Sequence, residues 1–124
     1  MRLLLILLVL LSVNANAKKW KEADYVNFFC KGEIEYRLPD KTRVDCLTSE
    51  YAIEYDFDYK WAEPVAQAIH YSIHTGKKAG IVLIMSKKGE KFLTRLNDVI
   101  DQIPCRPSQC PFIKVWTVEA NTKE

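Results

Sequence analysis

Glycine, methionine and histidine are scarce in this chain, at four, two and two residues among 124. So little glycine beside 48% hydrophobic residues and three tryptophans argues against disorder. The chain has no internal repeat, low-complexity tract or linker-like stretch, which leaves one domain as the simplest organisation. Its one long apolar run, Leu3 to Leu11, is too short to cross a hydrocarbon layer of about 30 Å. There is no C-x-x-C pair, which excludes the commonest structural zinc and thioredoxin-type motifs. TGKKAG around Gly76 lacks the spacing of a phosphate loop and follows a helical stretch. Charge of one sign is also lacking, with 18 Lys+Arg against 16 Asp+Glu. That balance excludes a strongly basic nucleic-acid coat protein but permits a local basic rim.

What is present begins with MRLLLILLVLLSVNANA, a basic residue, an apolar run and a small-residue box ending at Ala17. This reads as a secretory signal peptide over 1–17, with cleavage expected before Lys18 and a mature domain over 18–124. The expected location is secreted or periplasmic, with no membrane attachment after cleavage. Cys30, Cys46, Cys105 and Cys110 all fall in the mature part, and an even count there reads as two disulfides. Of the three connectivities, the CRPSQC spacing favours a local Cys105–Cys110 closure, leaving Cys30 with Cys46.

Hydrophobic periodicity predicts a helix over 19–30, then strands over 33–38, 42–47 and 51–57. A helix over about 60–75 follows, with Pro64 in its first turn and Gly76 as its C-terminal cap. The nearly all-apolar 80–86 predicts a strand covered on both faces, 89–103 an amphipathic helix, and 112–118 a last strand. The order α-β-β-β-α-β-α-β defines an α/β domain: an antiparallel meander feeding a β-α-β crossover, in a mixed sheet with helices on both sides.

Matching apolar faces sets the register, because a slip of one residue turns a strand inside out. A loop centred on Asp40 pairs Ile34 with Cys46 and Tyr36 with Val44. A turn at Ser49-Glu50 pairs Cys46 with Ile53 and Val44 with Tyr55. Glu35, Asp45 and Glu54 then line up across three strands, with Arg43 opposite Asp56. Like charges directly opposite are destabilising by up to about 1 kcal/mol per pair. A protonated acid, exposure to solvent or a bound divalent cation would each offset this, and hard oxygen ligands suit Mg²⁺, Mn²⁺ or Ca²⁺.

The order α-β-β-β-α-β, with Asp45 in RVDCLT and Glu54-x-Asp56 in AIEYDF, resembles the PD-(D/E)XK nuclease superfamily. The stretch Gly32 to Ile84 looks especially like a small PD-(D/E)XK-like family with G-x-E-x-x-L-P-D, R-V-D-C-L-T, I-E-x-D-F and K-W-A-E segments, over about half the mature chain. The resemblance implies a restriction-endonuclease-like fold and Mg²⁺ or Mn²⁺ held by Asp45 and Glu54, with Glu35 added by the hairpin pairing. It implies hydrolysis of phosphodiesters in nucleic acid, aided by a lysine in the third motif position that orients or deprotonates water. Here Asp56 fills that slot, and Lys60 on the next helix is the candidate replacement. Gln67-x-x-x-Tyr71 looks like the Q-x-x-x-Y motif of exonuclease branches, which helps to position substrate.

Several residues carry a plainer reading alongside. Lys60, Gln67, Tyr71 and His74 share one side of the helix, a face that is equally a solvated border. Trp61, Val65, Ala68, Ile69 and Ser72 occupy the side expected to pack on the sheet. His70-x-x-x-His74 has zinc-like spacing but lacks the glutamate of H-E-x-x-H, and it is not read as a zinc site. Glu22 is a further acid on the first helix. Lys87 and Lys88, with Lys91, follow the 80–86 strand and are candidate phosphate contacts, or simply solubility residues. Two functions compete: a metal-dependent nuclease, and a catalytically decayed secreted binding module of the same fold.

Overall fold

Alternating apolar residues fold the first half of the domain into a meander, seen in a computed structural model that describes residues 18–104 and 112–121. The expected leader 1–17 and the expected Cys105–Cys110 bridge lie outside the described residues. Helix α1 (Glu22–Phe29) precedes strands β1 (Glu33–Arg37), β2 (Arg43–Leu47) and β3 (Tyr51–Phe57). A single 3-10 turn, Asp58–Lys60, leads into α2 (Glu63–Thr75), followed by β4 (Lys78–Met85), α3 (Glu90–Gln102) and β5 (Ile113–Glu119). The order is the expected one, and the differences lie at element ends. The first helix begins at Glu22 rather than near residue 19, and β4 begins two residues before the apolar run.

The five strands form one mixed sheet in the order β1-β2-β3-β4-β5, antiparallel across the first three and parallel from β3 through β5. A crossover between parallel strands needs a helix, and α2 and α3 supply the two connections. Strand β4 is buried on both faces. Val82 and Ile84 pack with Tyr25 and Val26 of α1, whereas Ala79, Ile81 and Leu83 pack with Ala68 of α2 and Leu96 of α3. Helices therefore cover both sides of the sheet. Trp61, Val65, Ala68 and Ile69 face it, as their spacing predicts. Pro64 sits in the first turn of α2, and Gly76 closes that helix at φ 69°, a left-handed conformation that glycine adopts without steric cost.

Both turns of the meander follow the expected register. Around Asp40 the ladder pairs Ile34 with Cys46 and Tyr36 with Val44. Lys41 takes φ 73° in the five-residue connection 38–42. At Ser49-Glu50, Thr48 N–H donates to Tyr51 O at 2.9 Å, and Cys46 pairs with Ile53. Cys30 and Cys46 form a disulfide that ties the end of α1 to β2.

The register departs from expectation beyond Cys46. The β2–β3 ladder consists of Cys46–Ile53 and Leu47–Ala52, so the expected pairs of Val44 with Tyr55, Asp45 with Glu54 and Arg43 with Asp56 do not form. Instead Tyr55 N–H donates to Asp45 Oδ2 at 2.8 Å, a side chain standing where a strand carbonyl would otherwise accept. Val44 leaves the Cys46 face and packs with Leu38, Ala52 and Tyr71. Glu35, expected opposite Asp45, is likewise not among the paired residues and adopts φ 56°.

A candidate acidic centre where two strands part

The opening between β2 and β3 brings four carboxyls together from three elements: Glu22 of α1, Asp45 of β2, and Glu54 and Asp56 of β3. Glu54 is 5% exposed and Asp56 4%, so both are withdrawn from water in the middle of a sheet. Asp45 and Glu54 interact side chain to side chain, as do Glu22 and Asp56, and a retained proton would ease the repulsion within each pair. Among the described residues, Glu54 Oε2 is buried without a hydrogen-bond partner.

Burial is the main reason these acids resist ionisation, and their mutual repulsion adds to it. Burial, then the charges of Asp45, Glu22 and Asp56, push the Glu54 carboxyl up to about 9. Asp45 is raised to about 6 by burial and by Glu35, against the lowering effect of the Tyr55 N–H. Glu22 rises to about 7 through burial and the Asp56 charge. Asp56 is raised by burial, with Lys60 opposing the shift.

Lys60 is the cation of this centre. It sits in the 3-10 turn rather than on the helix expected over about 60–75. Its Nζ lies 3.7 Å from Asp56 Oδ1, four residues back in β3, and 3.9 Å from Glu22 Oε2. The Asp56 and Glu22 charges raise its pKa, so the ammonium stays protonated at neutral pH. Tyr71 is 5% exposed, which corrects its placement on a polar border. Its hydroxyl is pushed up to about 12 by burial and by the Glu54 and Asp45 charges, against the lowering effect of Gln67. The structure thus brings Asp45, Glu54, Asp56, Lys60, Gln67 and Tyr71 to one neighbourhood and adds Glu22. Glu35 is turned elsewhere: Arg43 Nη1 donates to its Oε2 at 3.2 Å on the solvent side.

Lys87 and Lys88 follow β4 at the edge where β3 ends, because Phe57 is level with Ile84 in the parallel pair. That corner is closed by Asp58 Oδ2, which accepts Ser86 N–H at 2.7 Å and Ser86 O–H at 2.6 Å. Beside Glu22 and Lys60 runs a groove of about 650 Å³ whose lining includes Lys19, Trp20, Lys21, Tyr59 and Phe92. Tyr59 is 63% exposed there and stacks on Phe57 with the ring planes 14° apart. The sequence reading missed this groove because its walls come from the start of the domain, the β3–α2 link and α3.

These residues form an α/β protein with a mixed five-stranded sheet and an acidic centre at the β2–β3 opening. In comparisons with known proteins, no family model, no curated protein and no solved structure matches the chain.

Proposed function

We propose that this chain is an exported hydrolase of nucleic-acid phosphodiester bonds, dependent on Mg²⁺ or Mn²⁺ and built on a restriction-endonuclease-like fold. The observation that carries the proposal is the buried, unpartnered Glu54 Oε2 beside the Asp45 carboxyl. A native protein rarely leaves such an oxygen orphaned, and an all-carboxylate donor set suits a hard divalent cation. Asp45 and Glu54 would hold the cation. Bound there, it would neutralise charge on the phosphoryl group and favour ionisation of water.

The remaining chemistry belongs to the chain. Lys60 stands where the resemblance leaves room for a displaced lysine, and its raised pKa suits it to orienting an anionic phosphate rather than removing a proton. Gln67 lies beside the Tyr71 hydroxyl on the helix side of the centre. The groove with Lys19, Lys21, Trp20 and exposed Tyr59 offers cations for phosphates and a ring face for an unstacked base. This favours single-stranded nucleic acid. The Cys30–Cys46 disulfide is compatible with an oxidising compartment and so with export.

The second reading, a binding module without catalysis, draws on Asp56. That residue fills the usual lysine slot and already has Lys60 and Glu22 as partners, so protons and one lysine neutralise the cluster without a cation. Cleavage of single- and double-stranded DNA and RNA with Mg²⁺ or Mn²⁺ separates the two. The hydrolase reading expects cleavage that is abolished by EDTA, by Asp45→Ala and by Glu54→Ala. Cleavage that survives both substitutions overturns the site, and no cleavage with any of these substrates leaves the binding module.

A further inference from the structure

A second constellation lies on α2, away from the four buried acids. In the β1–β2 turn, Asp40 Oδ1 accepts Thr42 N–H at 3.0 Å and Thr42 O–H at 2.6 Å. Those bonds fix the carboxylate so that Oδ2 lies 2.7 Å from His70 Nε2. His74, one turn further along α2, places its ring 4.3 Å from that of His70. One donor atom from each of Asp40, His70 and His74 falls within 4.8 Å of the others. All three residues are at least partly open to solvent.

We infer that Asp40, His70 and His74 form a binding site for a borderline first-row transition cation, Zn²⁺ being the natural occupant. Two imidazoles and one carboxylate are a zinc donor set, with a fourth position left for water or an exogenous ligand. The nitrogen donors distinguish this site from the all-oxygen centre at Asp45 and Glu54, which suits Mg²⁺ or Mn²⁺. The Thr42 hydrogen bonds fix the Asp40 carboxylate in the turn before a cation arrives. They also occupy the oxygen not needed as a ligand, the way supporting partners orient metal-bound carboxylates. An Asp40–His70 ion pair alone accounts for two of the three residues but leaves the apposed His74 ring unexplained. The site ties the β1–β2 turn to a helix 30 residues later. The sequence signal lacked only its third ligand, which tertiary folding supplies.

The test is competition for Zn²⁺ between a chromophoric chelator and the purified protein, free of any histidine tag, with excess Mg²⁺ present. The site predicts one tightly held equivalent, retained in Asp45→Ala. It predicts affinity weakened at least about tenfold in His74→Gln and more in the His70→Gln/His74→Gln double variant. His74 is exposed, so its replacement tests the site without disturbing the core. A full equivalent held equally tightly by the double variant, or no equivalent held by the unmodified protein, overturns the inference.

Discussion

Asp45 and Glu54 set their carboxyls against one another at the point where β2 and β3 separate, and among the described residues Glu54 Oε2 has no hydrogen-bond partner. Adjacent acids in this state either keep a proton or take a cation. Replacing Glu54 with glutamine supplies the uncharged form permanently. In EDTA at pH 8, Glu54→Gln should melt above the unmodified protein, because it no longer has to ionise a buried acid or hold a proton against the solution. Differential scanning calorimetry checks this, and a lower Tm at pH 8 would count against a shared-proton state.

The same acids set the pH dependence of the cation-free protein. Their folded values, about 6 for Asp45, 7 for Glu22 and 9 for Glu54, lie above the ordinary 3.8 and 4.5. Between those limits the folded chain binds more protons than the unfolded chain, so stability falls as pH rises. Their relative stabilisation is fully present below about pH 4 and is lost by about pH 9. Thermal melts in EDTA should therefore give a higher Tm at pH 5.5 than at 8.5. Because cation binding displaces protons, added Mg²⁺ should raise the Tm more at 8.5 than at 5.5.

Lys60 should separate catalysis from cation binding. It contacts Asp56 and Glu22 but not the proposed ligands Asp45 and Glu54. Lys60→Ala is expected to lower cleavage by about 10²-fold or more, the usual scale for losing a positioned charged group. The Mg²⁺-dependent rise in Tm should persist in this variant. Kinetics and melts on the same preparation test both halves.

Gly89 tests the corner beside the groove. A Cβ there would collide with Asp58 Oδ2, the acceptor of both Ser86 hydrogen bonds. Gly89→Ala should cost about 1–3 kcal/mol by overpacking, measured as a shift in urea midpoint at unchanged slope.

The Cys30–Cys46 bridge closes a loop of sequence separation 16 and anchors the C-terminal end of α1, the helix that presents Glu22. Its removal in Cys30→Ala/Cys46→Ala should cost about 3 kcal/mol from loop closure alone, read from chemical denaturation.

Alternation of apolar residues made much of this fold legible in the sequence. Ile34, Tyr36, Val44, Cys46 and Ile53 set both turns, and the continuous run in β4 announced a strand covered on two faces. The same alternation failed at Val44 with Tyr55, because Asp45 satisfies the Tyr55 N–H with its side chain and no hydrophobic pattern records that exchange. Asp45, Glu54 and Lys60 were singled out by the resemblance, with Asp45 and Glu54 also brought together by the expected register. Burial of Tyr71 was not, since tyrosine suits a border or a core equally. Glu35 was misplaced because its φ of 56° interrupts the β1–β2 ladder there, which alternation does not record, and its carboxylate meets Arg43 on the solvent side. Asp40 beside His70 and His74, and Trp20 beside Tyr59, depend on contacts between distant segments.

Direct titration with Mn²⁺ at pH 8, followed by electron paramagnetic resonance of the free ion, addresses the acidic centre without requiring a substrate. The unmodified protein and the His70→Gln/His74→Gln variant should each bind one equivalent at this centre, and Glu54→Gln and Asp45→Asn should lose it. Equal binding by Glu54→Gln, or no binding by the unmodified protein, would contradict a cation site at Asp45 and Glu54.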